Sequence, residues 1–238
     1  MMSKLNRRSL LRGAVLAALP GPAAAQVVRP MKHIVLLGDS IFDNAAYVAG
    51  GPDVVRQLRA LSPRDARASL SARDGAVIAD VSHQLQSLPP DATHLVLSVG
   101  GNDALGEAAL LEAKVSSMAE ALELITRVRE RFRSAYAGLL EEILKRPLPL
   151  AVCTIYEPRF PESARRRLAA TALTVLNDAI TREAFSRRVD CIDLRVLCDD
   201  DRDFANPIEP SIHGGEKIAR AILGLVTGTR DGSRVFVR

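Results

Sequence analysis

The apolar positions of this chain fall into short runs separated by longer stretches with helical spacing. Five runs read as strands, over residues 33–37, 68–72, 94–99, 150–155 and 189–194. Between them the apolar period lengthens. Pro52 and Asp53 open a helix that carries Val54, Val55, Leu58 and Leu61 inward, and residues 77–88 supply the next. A long helix over 112–146 places Val115, Met118, Leu122, Ile125, Phe132, Tyr136, Leu139 and Ile143 on one face and stops at Pro147. Two more follow, over 163–188 and 215–226. Strands alternating with helices predict an α/β chain built on a parallel sheet with crossover helices. No Gly/Ser- or Pro-rich linker, repeat or low-complexity stretch interrupts the pattern, so residues 26–238 are expected to form one domain. The tail 229–238 reads either as a short edge strand or as disorder.

The first 25 residues break the pattern. Asn6-Arg7-Arg8-Ser9-Leu10-Leu11-Arg12 is a twin-arginine sequence, followed by a short apolar core and the small-residue site Ala23-Ala24-Ala25. This order predicts a Tat-type signal over 1–25, recognised by the Tat export machinery, and a periplasmic or secreted product. The apolar core is too short to span a bilayer, so no stable membrane span is expected.

Treating that segment as a leader changes the electrostatics. The leader holds four of the 32 basic residues and no acid, so the rest of the chain balances 28 bases against 28 acids. The high pI of about 9.2 therefore belongs to the leader. It gives no argument for a nucleic-acid partner. The basic clusters at Arg127, Arg129, Arg131 and Arg133 and at Arg165-Arg166-Arg167 read as solvated helix faces. Three cysteines, Cys153, Cys191 and Cys198, make no disulfide framework and are expected as free thiols.

The chemistry concentrates where predicted strands end. Gly38-Asp39-Ser40-Ile41-Phe42-Asp43-Asn44 follows the run Ile34-Val35-Leu36-Leu37, an arrangement that holds a serine hydroxyl at the mouth of a sheet. It is not the G-x-S-x-G elbow, because Ile41 and Phe42 follow Ser40. Gly75 and the run Gly100-Gly101-Asn102-Asp103 close the next two strands, and His213 precedes the last helix. A serine needs a base within hydrogen-bond reach, and the oxyanion formed on attack needs preorganised N–H donors. The backbone amides of Ser40 and Gly75 and the side-chain amide of Asn102 would supply three.

These four blocks, in this order over roughly residues 33–226, resemble those of the SGNH (GDSL) hydrolases. The resemblance implies a three-layer α/β/α sandwich on a flavodoxin-like, five-stranded parallel sheet. It also implies a serine esterase with Ser40 as nucleophile, His213 as base, and Ser40, Gly75 and Asn102 as the oxyanion hole. No cofactor and no metal are implied, and the substrate is a small-molecule, glycan or lipid ester with a short acyl chain expected. Acyl transfer to a sugar hydroxyl, and a catalytically silent binding protein, are the alternatives.

One position departs from the resemblance. The family's last block reads D-x-x-H, and Pro210 stands where the aspartate belongs. Glu209 is the candidate acid, although a residue before proline is held out of helical geometry. Asp199, Asp200, Asp201 and Asp203 lie upstream as alternatives, as does a Ser–His dyad with no acid.

Overall fold

The computed structural model describes residues 30–228. The readings made above for the leader and for the tail fall outside that range. Five strands, β1 (Lys32–Gly38), β2 (Ala66–Leu70), β3 (His94–Ser98), β4 (Leu150–Cys153) and β5 (Asp190–Ile192), form one sheet in the order β2-β1-β3-β4-β5. Every neighbouring pair is parallel. Strand β1 connects to β2 on one side, and the chain then crosses to β3 on the other. The order therefore reverses between β1 and β3, and in open α/β sheets such a reversal opens a crevice beyond the carboxyl ends of the strands.

Alternation along β1 fixes the layers. Ile34 and Leu36 pack with Val54, Leu58, Ile218 and Ile222, from helices α1 (Val54–Leu61) and α7 (Ile212–Thr227). Val35 and Leu37 face the other way, onto Val81, Tyr136, Leu140 and Ile180. Those side chains come from α2 (Val81–Gln86), α4 (Met118–Leu144) and α5 (Ser163–Ser186). Two short helices, α3 (Gly101–Gly106) and α6 (Leu194–Leu197), follow β3 and β5.

The expected long helix over 112–146 is divided. A 3-10 turn covers Ala108–Glu112, and α4 begins only after Ser117, whose hydroxyl accepts the Glu120 N–H at 3.1 Å. Its expected apolar face also splits. Phe132, Tyr136, Leu139 and Ile143 are buried, whereas Met118 and Leu122 are 75% and 56% exposed. Length explains this: a helix of 27 residues runs about 40 Å, while a strand of five spans only about 17 Å. Since α4 starts at the carboxyl edge of the sheet, its first half overhangs that edge. Helix α5 starts at the same edge, and Leu168 in its first turns is 53% exposed.

Two boundaries move for local reasons. β5 ends at Ile192 because Asp193 caps α6, its carboxylate accepting the Arg195 N–H at 3.2 Å and the Thr154 hydroxyl at 2.9 Å. α7 starts at Ile212 rather than Gly215, because the Ser211 hydroxyl accepts the His213 and Gly214 N–H groups. Cys153, Cys191 and Cys198 are free thiols, and burial pushes the last two up to about 11 and 12. No helix of the described residues is long and apolar enough to cross a membrane.

Candidate active site

Gly38 ends β1 with φ +121°, and a Cβ there would lie 1.7 Å from the Ser98 carbonyl oxygen. Only glycine lets β1 and β3 stay paired while the chain turns out of the sheet. The buried Gln84 side chain holds that peptide from both sides, accepting the Gly38 N–H and donating to the Gly38 carbonyl, each at 2.8 Å. Asp39 then donates its N–H to Ser98 O at 3.0 Å, and its carbonyl accepts from Phe42 and Asp43. These bonds fix the turn that carries Ser40. Among the described residues no partner engages the Ser40 N–H.

Ser40 lines a cavity of about 430 Å³ between α3, α4 and α5. Asn102, in the first turn of α3, lines it too, and one of its amide hydrogens is donated to Ala76 O at 3.0 Å. Ala76 follows Gly75, so that bond ties the second block to the third. Gly75 itself, at φ +77°, is exposed and lies on a neighbouring cleft with Arg73, Asp74 and His83. It does not line the Ser40 cavity. Of the three expected oxyanion donors, Ser40 and Asn102 line this cavity and Gly75 lines the neighbouring cleft.

His213 and Glu209, the expected base and acid, come next along the chain. His213 lies in the first turn of α7 rather than in a loop, its orientation set by the Ser211 cap. Its ring is about half exposed and faces the buried Asp203 carboxylate at 3.6 Å. The other Asp203 oxygen accepts Lys217 Nζ at 2.8 Å. His213 is absent from the wall of the Ser40 cavity, and Glu209 is present on it. The Ser40 hydroxyl donates to the Glu209 carboxylate, and Glu209 Oε2 is buried without a partner. Asn206 and Glu209 carry the three-residue spacing that the resemblance assigns to aspartate and histidine. Asn206 Oδ1 accepts the Ile208 and Glu209 N–H groups, both at 2.9 Å. That N-x-x-E spacing was the available sequence signal; the nearby histidine drew attention from it.

Burial pushes the Glu209 carboxyl from 4.5 up to about 7, against the lowering effect of the Ser40 hydrogen bond, with the Asp74 charge adding to the rise. Burial pushes Asp39 further, to about 8, opposed by the Ile41 N–H and helped by the charges of Glu209 and Asp103. Two neighbouring carboxyls, both pushed up by burial, thus line the cavity beside the serine.

The family model for GDSL-like lipases and acylhydrolases matches residues 36–221, which takes in every element from β1 into α7. The chain belongs to that family. As a GDSL-family hydrolase it shares its fold with solved enzymes of low sequence identity. An extracellular lipase from Streptomyces rimosus is 16% identical with a TM-score of 0.61, covering 84% of this chain and 100% of that one. A lipase/acylhydrolase from Enterococcus faecalis is 20% identical with a TM-score of 0.59, covering 86% and 100%. An acetyl xylan esterase is 18% identical with a TM-score of 0.59, covering 82% and 99%. No curated protein matches the sequence. The GDSL-family hydrolase holds no cluster of metal-ligating side chains among its described residues.

Proposed function

We propose that this GDSL-family hydrolase cleaves carboxylic esters through an acyl-enzyme on Ser40, and that its acyl group is an apolar chain longer than acetyl. The carrying observation is the cavity that Ser40 shares with Asn102. Its walls are built from Leu105 of α3, Leu111 of the 3-10 turn that follows, Ile125 of α4, Ile155 after β4, and Leu168 and Leu176 of α5. Such a wall favours burial of methylenes, each contributing about 0.8 kcal/mol. This turns the reading away from the short acyl chain expected from sequence.

Ser40 Oγ attacks the ester carbonyl, and the free Ser40 N–H with the second Asn102 amide hydrogen receives the oxyanion. Export through the Tat route belongs to the same reading, supported by Arg7-Arg8 and Ala23-Ala24-Ala25.

The test is a series of 4-nitrophenyl esters from acetyl to palmitoyl with purified protein, alongside labelling by a serine-directed phosphonate. kcat/KM should rise by up to about fourfold per added methylene, about fifteenfold per methylene pair, until the cavity is full. A maximum at acetyl would refute the acyl-chain reading. A protein that neither hydrolyses an ester nor takes the phosphonate is a silent binder.

A further inference from the structure

We propose that Glu209, and no histidine, is the general base that takes the proton from Ser40 and returns it to the leaving alkoxide. The inference rests on the ester-hydrolysis reading above and assigns the group that the reading leaves open.

Elimination supplies the first support. The chain has four histidines, and none lines the Ser40 cavity. His33 and His94 open β1 and β3, at the amino edge of the sheet, where His33 meets Asp91 and Ser69 and His94 meets Thr93. His83 sits in α2 on the neighbouring cleft, and His213 faces Asp203. Glu209 is the side chain that the Ser40 hydroxyl meets.

Fixed geometry supplies the second. A base must stay within hydrogen-bond reach of its proton through the reaction, and the loop carrying Glu209 is held on every side. Glu209 O accepts the Ala205 N–H at 2.8 Å, and Tyr156 Oη donates to Ile208 O at 2.6 Å. Asn44 Nδ2 donates to Pro210 O at 3.0 Å. With the Asn206 turn, these leave the carboxylate buried on the cavity wall it shares with Ser40, with one oxygen unpartnered. Proline at 210, which denies Glu209 a helical backbone, is what holds the residue in this turn.

Proton affinity supplies the third. A carboxyl held near 7 has the affinity that imidazole would bring to the same position. The groups that bear on it come from several elements: Asp39 after β1, Asp74 after β2, Tyr47 in the 3-10 turn before α1 and Tyr156 after β4. Each is an acid or a phenol. The cation on the cavity wall, Arg165, stacks over Phe160 at 4.1 Å, and Glu107 on the same wall pairs with Arg131.

The steps balance without any further reactant than water. Ser40 Oγ forms the bond to the carbonyl carbon as its proton passes to Glu209. The tetrahedral oxyanion collapses, the acyl–alkoxy bond breaks, and Glu209 returns the proton to the alkoxide as the alcohol leaves. Water then attacks the acyl-enzyme and gives its proton to Glu209. The acyl–Ser40 bond breaks, and that proton returns to Ser40 Oγ as the carboxylic acid departs.

The experiment is the pH dependence of kcat/KM, from pH 5 to 9, for the wild type, Ser40→Ala, Glu209→Gln, Glu209→Asp and His213→Ala. Wild-type activity should rise through a single ionisation, and Glu209→Gln should lose about 10²–10⁴ in kcat together with that ionisation. His213→Ala should stay near wild type with the same profile. A loss of about 10² or more in His213→Ala, with the ionisation kept in Glu209→Gln, overturns the assignment. Should Glu209→Gln fail to fold, Glu209→Asp decides: a displaced ionisation supports Glu209, and an unmoved one overturns it. Turnover surviving in Ser40→Ala would remove the acyl-enzyme reading itself, whatever the base.

Discussion

Glu209→Gln should make the protein more stable as it makes it inactive, and the gain should depend on pH. The native carboxyl titrates near 7 and the unfolded one near 4.5, because folding takes it out of water. Between those values the native state holds a proton that the unfolded state has released. Wild-type stability from this group is therefore fully present below pH 4.5 and is lost as pH rises to about 7. The shift of two and a half units sets an upper figure of about 3 kcal/mol, and water at the cavity mouth lowers the expectation to about 2 kcal/mol. Glutamine keeps an acceptor for the Ser40 hydroxyl and carries no charge to desolvate. Removing the charge also relieves Asp39, whose pKa Glu209 helps to raise, so the second effect has the same sign and extends the window toward 8. Urea unfolding of both proteins at pH 4 and pH 8.5 measures the difference. The variant should be near equal at pH 4 and about 2 kcal/mol more stable at pH 8.5, or some 4–8 °C in Tm. Parallel pH profiles for the two proteins would refute the argument that burial holds this carboxyl up.

Three further outcomes are expected. Asn102→Ala should lower kcat by about 10²–10³ with little change in KM, measured on the best ester of the chain-length series; an effect confined to KM would remove its oxyanion role. Gly38→Ala should cost about 3 kcal/mol or more, since the new Cβ meets the Ser98 carbonyl at a strained φ, and a thermal melt within a degree or two of wild type would count against that account. Replacing Arg7 and Arg8 together by lysine should stop export, read as retention of the unprocessed chain; continued secretion would exclude the Tat route.

The sheet was legible because buried parallel strands and amphipathic helices leave opposite periods, and β1 to β5 all fall on the runs that the pattern marks. That Ser40 and Asn102 would meet on one cavity wall was legible for a related reason: residues at neighbouring strand ends carry short motifs fixed by backbone geometry. The base was not. His213 has the chemistry expected of a base, but a Ser211 cap two residues before it sets it in the first turn of α7, facing Asp203. Glu209 lacks that chemistry until burial raises its proton affinity, and burial is a tertiary property with no local signature. The apolar face of the long helix misled in the opposite sense. Period shows which residues share a face, and only the length of the neighbouring strands shows how much of that face the sheet can cover.

That overhang separates two tasks in one molecule. Ser40, Asn102 and Glu209 sit on a platform of strand ends and pinned loops, while the chamber wall rises from helix turns beyond the sheet. One added turn in α4 or α5 would raise a wall by about 5.4 Å and leave the platform's hydrogen bonds untouched. Chain-length preference in this scaffold is thus an adjustable dimension, set by how far two helices project past the edge they pack on.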